Sequence, residues 1–508
     1  MLAALGTCAT PITTSFIFVD EVSTIATAYA IAGFATDATH VSSSNSALAL
    51  QGIANAFATV PNLETLSTGL ALSTTPAGNG TVDSEEVNTL ADILAACINS
   101  TGPAFSQCNT LLSNAMNGSI EPNDTATAAI NIAHNPGANV ANLYGVLQGV
   151  GTPFLPMLSA APNDFTIAVE IDYTGGGTTD SNAIAIDGSG NVWVADTYGP
   201  SIRKVSPTGA VLSGSSGYTG GGLGGPYWIA LDASGNIWAP DCYGTSVSIS
   251  EFSSGGTAIS GSPAYTGGGL DAPCGIAIDT SGNVWLANNG GKSLSKFSSN
   301  GTAISSSSGY TGGGLNNPSD LAVDACGNVW VVNSNSSVSK FTSTGTAISG
   351  ASGYTGGGLN TSGFVVISPI AVDASGNIWV ANLQANSLSK FSSSGSAVSP
   401  SYGYTGGGLN WPNDIAIDGS GNVWVANFGS SSISKFSSNG TAISGSSGYT
   451  ANGMSAPGYV AIDGSGNVWV GIYEGQRLFE FVGAAAPVVT PKVANLQSPY
   501  GMYAVNKP

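Results

Sequence analysis

Six oxygen-bearing side chains recur at one position, three residues after a repeated tryptophan: Asp196, Asp241, Asn288, Asn333, Asn382 and Asn427, with Ile472 in the seventh copy. A ring of carboxylates and amides can hold a hard cation through oxygen ligands. The same residue types also cap loop N–H groups, and a feature present in six copies fits that role more economically. Positions that differ between copies say more about chemistry. Four residues before each repeat aspartate stand Ala183, Trp228, Gly275, Asp320, Pro369, Asp414 and Tyr459. Two carboxylates and two aromatics there would line the mouth of a channel, with Tyr198, Tyr243, Trp411, Phe428 and Tyr473 in adjacent loops. Aromatic faces beside Asp and Asn groups suit sugars or peptides, which offer flat apolar faces and polar edges. Packing between neighbouring repeats accounts equally well for each aromatic taken singly.

The elements that must position these groups are legible as a repeat. An apolar strand followed by Asp-x-x-Gly-Asn-(Val/Ile)-Trp occurs seven times, starting at Asp187, Asp232, Asp279, Asp324, Asp373, Asp418 and Asp463, so successive copies lie 45, 47, 45, 49, 45 and 45 residues apart. A period in that range with four short strands per unit marks a β-propeller. In the sixth unit, 415–418 and 423–427 read as strands joined by a tight turn. Residues 432–436 alternate as a half-buried strand, and 440–444 read as a fourth, outer one. The short Asp side chain can accept backbone N–H groups of its own turn, and each Trp offers a flat surface for packing between sheets. Residues 165–172 precede the first Tyr-Thr-Gly-Gly-Gly connector where later units have their fourth strand, and the seventh unit lacks one. The simplest closure has that segment complete the last sheet and leave no open edge. The expected fold is therefore an all-β seven-bladed β-propeller over residues 165–483, preceded by a small all-α helical domain over 1–160 and followed by a Pro/Ala-rich tail, 484–508.

The pattern Pro-x-x-Ile-Ala-(Ile/Val)-Asp-x-x-Gly-Asn-(Val/Ile)-Trp-Val-Ala-(Asp/Asn), then Ser-(Ile/Leu/Val)-Ser-Lys-Phe, resembles the NHL repeat. The wider group it resembles includes streptogramin lyase-like and gluconolactonase-like propellers, and the likeness spans roughly 165–483. It implies fold strongly and function weakly, because such propellers host unrelated activities. Lyases of this group use histidine, and the repeats contain none. Gluconolactonase-like enzymes use Glu, Asn and Asp around a divalent ion. Asp320, Asp414, Asn333 and Asn427 could imitate that set, but its glutamate has no counterpart. Residues 1–160 resemble a helical module that precedes NHL propellers in some exported bacterial proteins.

Composition narrows the partners. Only 8% of the 508 residues are charged, 29 Asp and Glu against 10 Lys and Arg, and the first Lys or Arg is Arg203. This argues against nucleic acid and anionic lipid as partners, since both need basic surface. The Gly, Ser, Thr and Asn-rich surface suits an exported bacterial protein and a monomer. The opening Met1-Leu-Ala-Ala-Leu lacks a basic region, so the expectation is a true start upstream. Ile25 to Phe34 is too short and too Ala/Thr-rich to span a bilayer.

Six cysteines include no Cys-x-x-Cys, and with only His40 and His134 to join them a zinc site is not expected. Cys97 and Cys108 flank a turn between two helical patterns, and Cys242 and Cys274 fall in loops on one face of neighbouring units, so two disulfides are expected and Cys326 is left free. In the first domain, helices are expected at 18–35, 45–59, 104–116, 124–134 and 138–148. A further one follows Asp83, with Val87, Leu90, Ile93, Leu94, Cys97 and Ile98 on one face. The functional expectation is a non-enzymatic exported module binding a glycan, peptide or protein on the loop face around the central axis. Its contact residues are Trp228, Asp320, Asp414, Tyr459, Asp241, Asn288, Asn333, Asn382, Asn427 and Tyr243. It needs no cofactor, with a divalent cation on the axial carboxylates as the alternative for a lactonase or lyase. A cell-surface spacer is the third reading.

Overall fold

Each repeat folds around its own aspartate. Asp418 Oδ1 accepts the N–H groups of Ser420 and Asn422 at 2.9 and 2.8 Å, while Oδ2 accepts Asn422 Nδ2 and Trp424 Nε1 at 2.9 and 3.1 Å. The turn thereby fixes the start of strand two and the orientation of the indole, which is fully buried like its six counterparts. The computed structural model describes residues 1–3, 18–173, 181–242, 247–361, 368–473 and 475–492.

The described residues are mostly β, in a β-propeller arrangement. Seven antiparallel sheets of three or more strands follow one another along the chain. Sheet 6 is typical: Pro412–Ile417, Val423–Asn427 and Ser432–Phe436 pair in order. The first strand of each sheet packs against the first strand of the next, and that of sheet 7 (Pro457–Ile462) packs against that of sheet 1 (Ser181–Ile186). These inner strands surround a central bore. The Asp turns lie at one end of it, the turn face. The strand-two-to-three loops and the inter-sheet connectors lie at the other, the loop face.

The outer strand expected at 440–444 is reduced to single bridges, Phe436↔Ala442 and Ile433↔Tyr449. The Lys435 N–H bonds to Ser444 Oγ rather than to a backbone carbonyl, while the Ile443 and Ser444 amides converge on the Lys435 carbonyl. That irregularity breaks the ladder. The adjoining Tyr449 tilts against Trp424 at 5.9 Å, and Tyr404 of the preceding connector lies so close over Gly440 that a Cβ there would sit 2.3 Å from its ring.

A repeated Lys was not given a role by the sequence. Lys204, Lys296, Lys340, Lys390 and Lys435 each sit 4.4–4.6 Å above the indole of their own sheet. Their ammonium groups donate to a carbonyl of the next turn along, for example Lys340 to Ser393 at 2.7 Å. Cation–π contacts of this kind contribute about 0.5–2 kcal/mol each, and they tie neighbouring sheets together.

The last sheet has five strands. Ala168–Asp172 pairs with Arg477–Phe481 in register from Ala168↔Phe481 to Asp172↔Arg477, as the closure argument expects. Gly80–Val82 then covers the outer edge. Among the described residues, the N-terminal segment holds six α-helices, α1 (Glu21–Ala30), α2 (Ala47–Leu63), α3 (Ser84–Ile98), α4 (Ser106–Asn114), α5 (Thr125–His134) and α6 (Val140–Gly145), one in each expected stretch. It is not all-α, however. Short strands occur at 35–37, 40–41, 64–65, 70–71 and 80–82, the last because an exposed edge at 168–172 invites pairing. Nor is its core separate: Ile25, Tyr29, Leu90 and Ile130 pack in one cluster with Phe165, Val169 and Trp469.

Helix α2 docks on the turn face. Gly52 approaches Gly464 so closely that a Cβ would lie 2.0 Å from its carbonyl oxygen, and Ser465 Oγ donates to the Gly52 carbonyl at 3.0 Å. Residues 484–492, expected as tail, pack as well. Ala485 and Val488 donate to Gly466 and Asp463, and Thr490 Oγ1 donates to the Asp187 carbonyl at 2.8 Å. Both expected disulfides are present, Cys97–Cys108 and Cys242–Cys274, and Cys326 is free and exposed. Cys8 lies outside the described residues. Among those residues no helix is long and apolar enough to cross a membrane.

Candidate functional site

The repeated ring is buried. Asp196, Asp241, Asn288, Asn333, Asn382 and Asn427 are at most 2% exposed. Asn427 shows why: Nδ2 donates to Ser434 Oγ in strand three at 2.8 Å, and Oδ1 accepts the Asn410 N–H of the incoming connector at 3.3 Å. Asp241 likewise takes the Gly224 and Gly225 amides and the Ser248 hydroxyl, and Asp196 pairs with Arg203 at 2.9 Å. Asn288, Asn333 and Asn382 repeat the Asn427 pattern. The end of strand two turns its side chain toward strand three, so these groups bracket loops. This is the loop-capping role that the sequence weighed against ligand contact. Tyr243 lies outside the described residues.

The unrepeated positions do converge. A cavity of about 210 Å³ occupies the bore, walled by Ile, Val, Leu and Ala of the inner strands together with Trp228, Asp320 and Asp414. A bulge between Pro412 and Asp414, and the equivalent one between Pro318 and Asp320, re-aims each carboxylate. Asp320 accepts the Leu321 N–H at 2.8 Å and, across to sheet 5, the Ile370 N–H at 3.1 Å. Asp414 accepts Ile415 at 2.8 Å and Val460 of sheet 7 at 2.9 Å. Each therefore bridges two sheets with only two donors, and a carboxylate has room for more. Burial pushes both pKa values up to about 7, against those backbone N–H groups. The charge of Asp320 raises Asp414 further.

Lys492 completes the electrostatics, and no pattern in the sequence marked it. The tail lies across the turn-face end of the bore, and Val488, Val489, Thr490 and Lys492 form that end of the cavity. Lys492 keeps an exposed surface, and part of its side chain lines the turn-face end of the bore. Burial pulls its pKa down, opposed by Asp414 and Asp320. Among the described residues no group of three or more His, Cys, Asp or Glu could hold a metal ion.

At the loop-face end the aromatics form an arc. Trp228 and Tyr459 meet edge to face at 5.7 Å, across the small Ala183 of the sheet between them, and Tyr227 touches both at 6.4 Å. The Trp228 Nε1 has no hydrogen-bond partner among the described residues. Further out, Tyr473 meets Phe428 at 5.7 Å, and Phe428 stacks with Trp411 at 6.4 Å and 10°. Tyr459 is buried as a wall, whereas Trp411 is 52% exposed. Trp411 also adopts φ +52°, a left-handed conformation shared by its counterparts Ala272, Asn317 and Ala456. Small residues and Asn tolerate that backbone, and a bulky one is strained in it.

The profile of the NHL repeat matches residues 409–436, which form most of sheet 6. No curated protein matches at the sequence level. Among solved structures, the chain is similar to a streptogramin B lyase (15% identity, TM-score 0.48, covering 61% of this chain and 97% of that one). It is also similar to virginiamycin B lyase from Staphylococcus aureus (16%, 0.47, 62% and 98%) and to a gluconolactonase from Xanthomonas campestris (14%, 0.37, 62% and 89%). At such identities no residue role passes from those proteins to this chain.

Proposed function

We propose that the seven sheets are the blades of one closed disc, with residues 1–160 as a module fused to it, and that the disc is an exported, non-enzymatic binding module. It takes a peptide or glycan segment on its loop face. Trp411 carries this reading: a large aromatic held exposed in a backbone conformation that disfavours it has no folding rationale and suits a contact platform. The covered turn face supports the same direction of approach, since helix α2 and residues 484–492 occupy the other end. The two disulfides support an oxidising, extracellular setting. Trp411, Phe428 and Tyr473 form the outer platform, and Trp228, Asp320 and Asp414 the inner pocket. Peptide and glycan arrays probed with the wild type and with Trp411→Ala test it. Binding in the first and at least a tenfold loss in the second are expected, and no binding by the wild type on either array would leave the spacer reading.

A second reading draws support from the pairing of Asp320 and Asp414 in one cavity: a divalent-metal lactonase or lyase. Stoichiometric metal in the purified protein, lost in both Asp320→Ala and Asp414→Ala, would favour it.

A further inference from the structure

The bore holds two carboxylates and one ammonium group, Asp320, Asp414 and Lys492, and among the described residues no other charged side chain lines it. When both carboxylates are ionised, the pocket therefore carries one uncompensated negative charge between apolar walls, where Coulomb attraction is weakly screened. Val488, Val489, Thr490 and Lys492 line the turn-face end, which leaves the loop face, past the edge-to-face pair Trp228 and Tyr459, as the approach for a compensating cation. The protein already shows how it seats an ammonium group. In the blades, Lys296 lies over the Trp285 indole with its Nζ 3.4 Å from Asp279 and donates to a carbonyl. The bore offers the same parts: carboxylates with free acceptor capacity, an indole in the wall, and apolar sides to receive an alkyl stem.

We propose that the bore is a binding site for a primary ammonium group, half filled from within by Lys492 and completed from the loop face by a lysyl side chain or N-terminal amine of a peptide. This rests on the loop-face binding reading and names the chemistry of its inner pocket. Lys492 acts as a tethered cation that sets the charge of the pocket and competes with the incoming one. A neutral alkyl chain of the same length lacks the charge that pays the entry. The inorganic divalent ions fit less well, because each carboxylate already accepts two backbone N–H groups and a third ligating side chain is missing among the described residues.

Calorimetric titration of the full chain with n-butylamine tests this directly, with n-pentanol and calcium chloride as parallel probes. One n-butylammonium per chain is expected to bind at about pH 8, where Asp320 and Asp414 are ionised, and about tenfold more weakly at about pH 5.5, where they are protonated and the ligand is still charged. Asp414→Asn should weaken binding by about tenfold or more, and Lys492→Gln should tighten it severalfold by removing the competing charge. Lys492 sits in the tail, so that variant remains informative should Asp414→Asn fail to fold. Equal binding of n-pentanol, displacement of the amine by calcium, or no amine binding in either wild type or Lys492→Gln would overturn the proposal. Amine binding with silent arrays would instead sink the loop-face peptide or glycan reading and leave the ammonium site standing.

Discussion

Asp279 and Asp320 are both buried aspartates of the repeat region, and they behave oppositely. Asp279, in a turn, accepts the Ser281 and Asn283 amides, the Asn283 side chain and the Trp285 indole, with Lys296 at 3.4 Å. Burial pushes its pKa up, but those donors and the lysine outweigh burial and hold it below the usual carboxylate range. Asp320, on the bore, has two backbone donors, and burial prevails. A carboxylate copied into every repeat is surrounded by donors copied with it. A carboxylate found in only two repeats is left with unmet acceptor capacity, and that surplus is what a ligand can use.

The largest expected effect follows from breaking the satisfied one. Asp279→Ala strands the Trp285 indole, two backbone amides and a largely buried Lys296, and should lower stability by roughly 3–5 kcal/mol in urea denaturation. Asp320→Ala removes a group that burial already disfavours when ionised, so at about pH 8 its loss should be about 1 kcal/mol or less, the price of two freed N–H groups. Equal losses in the two variants would erase the distinction between structural and available carboxylates.

The pH dependence separates them by sign. Asp320 and Asp414 have folded pKa values raised to about 7. Their contribution is therefore fully present below the unfolded value near 4 and is lost as pH rises through about 7. Glu64, raised to about 7 by burial, and Asp92, raised to about 6, act the same way in the N-terminal segment. Asp279 acts in the reverse sense, stabilising above the unfolded value and losing its effect only in stronger acid. The melting temperature should thus peak near pH 5 and decline toward pH 8, and Asp414→Asn should flatten that decline without altering the acid limb. A wild-type profile rising from pH 5 to 8 would contradict the assignment.

The contrast also explains what the sequence could and could not reveal. The Asp187 to Asp463 turns were legible because one local environment recurs seven times and its chemistry closes within six residues. Asp320, Asp414, Trp228 and Tyr459 stood out because they break that pattern at one register. For Asn427 and its counterparts, spacing places them at a strand end without saying that Ser434 in the next strand receives the Asn427 side chain. Lys492 was not legible at all. It has no repeat partner, and only the course of residues 484–492 across the turn face brings it to the bore. Gly80–Val82 was lost for the same reason, its strand character arising from an edge about 90 residues away in sequence.

The smallest stability effect is the most discriminating, because its sign is unusual. Trp411 occupies a left-handed position that Asn317 fills in sheet 4, and left-handed backbone costs an ordinary residue roughly 1–2 kcal/mol. Its stacking on Phe428 returns about 0.5–1.5 kcal/mol, so Trp411→Asn should leave stability between unchanged and about 1 kcal/mol higher. A tryptophan needed for packing would give a loss of about 3 kcal/mol or more instead. Denaturation of this variant beside its array binding therefore tests the platform without confounding by misfolding: stability kept with binding lost marks a residue retained for contact, whereas stability lost would return Trp411 to the core of sheet 6 and leave the loop face without its anchor.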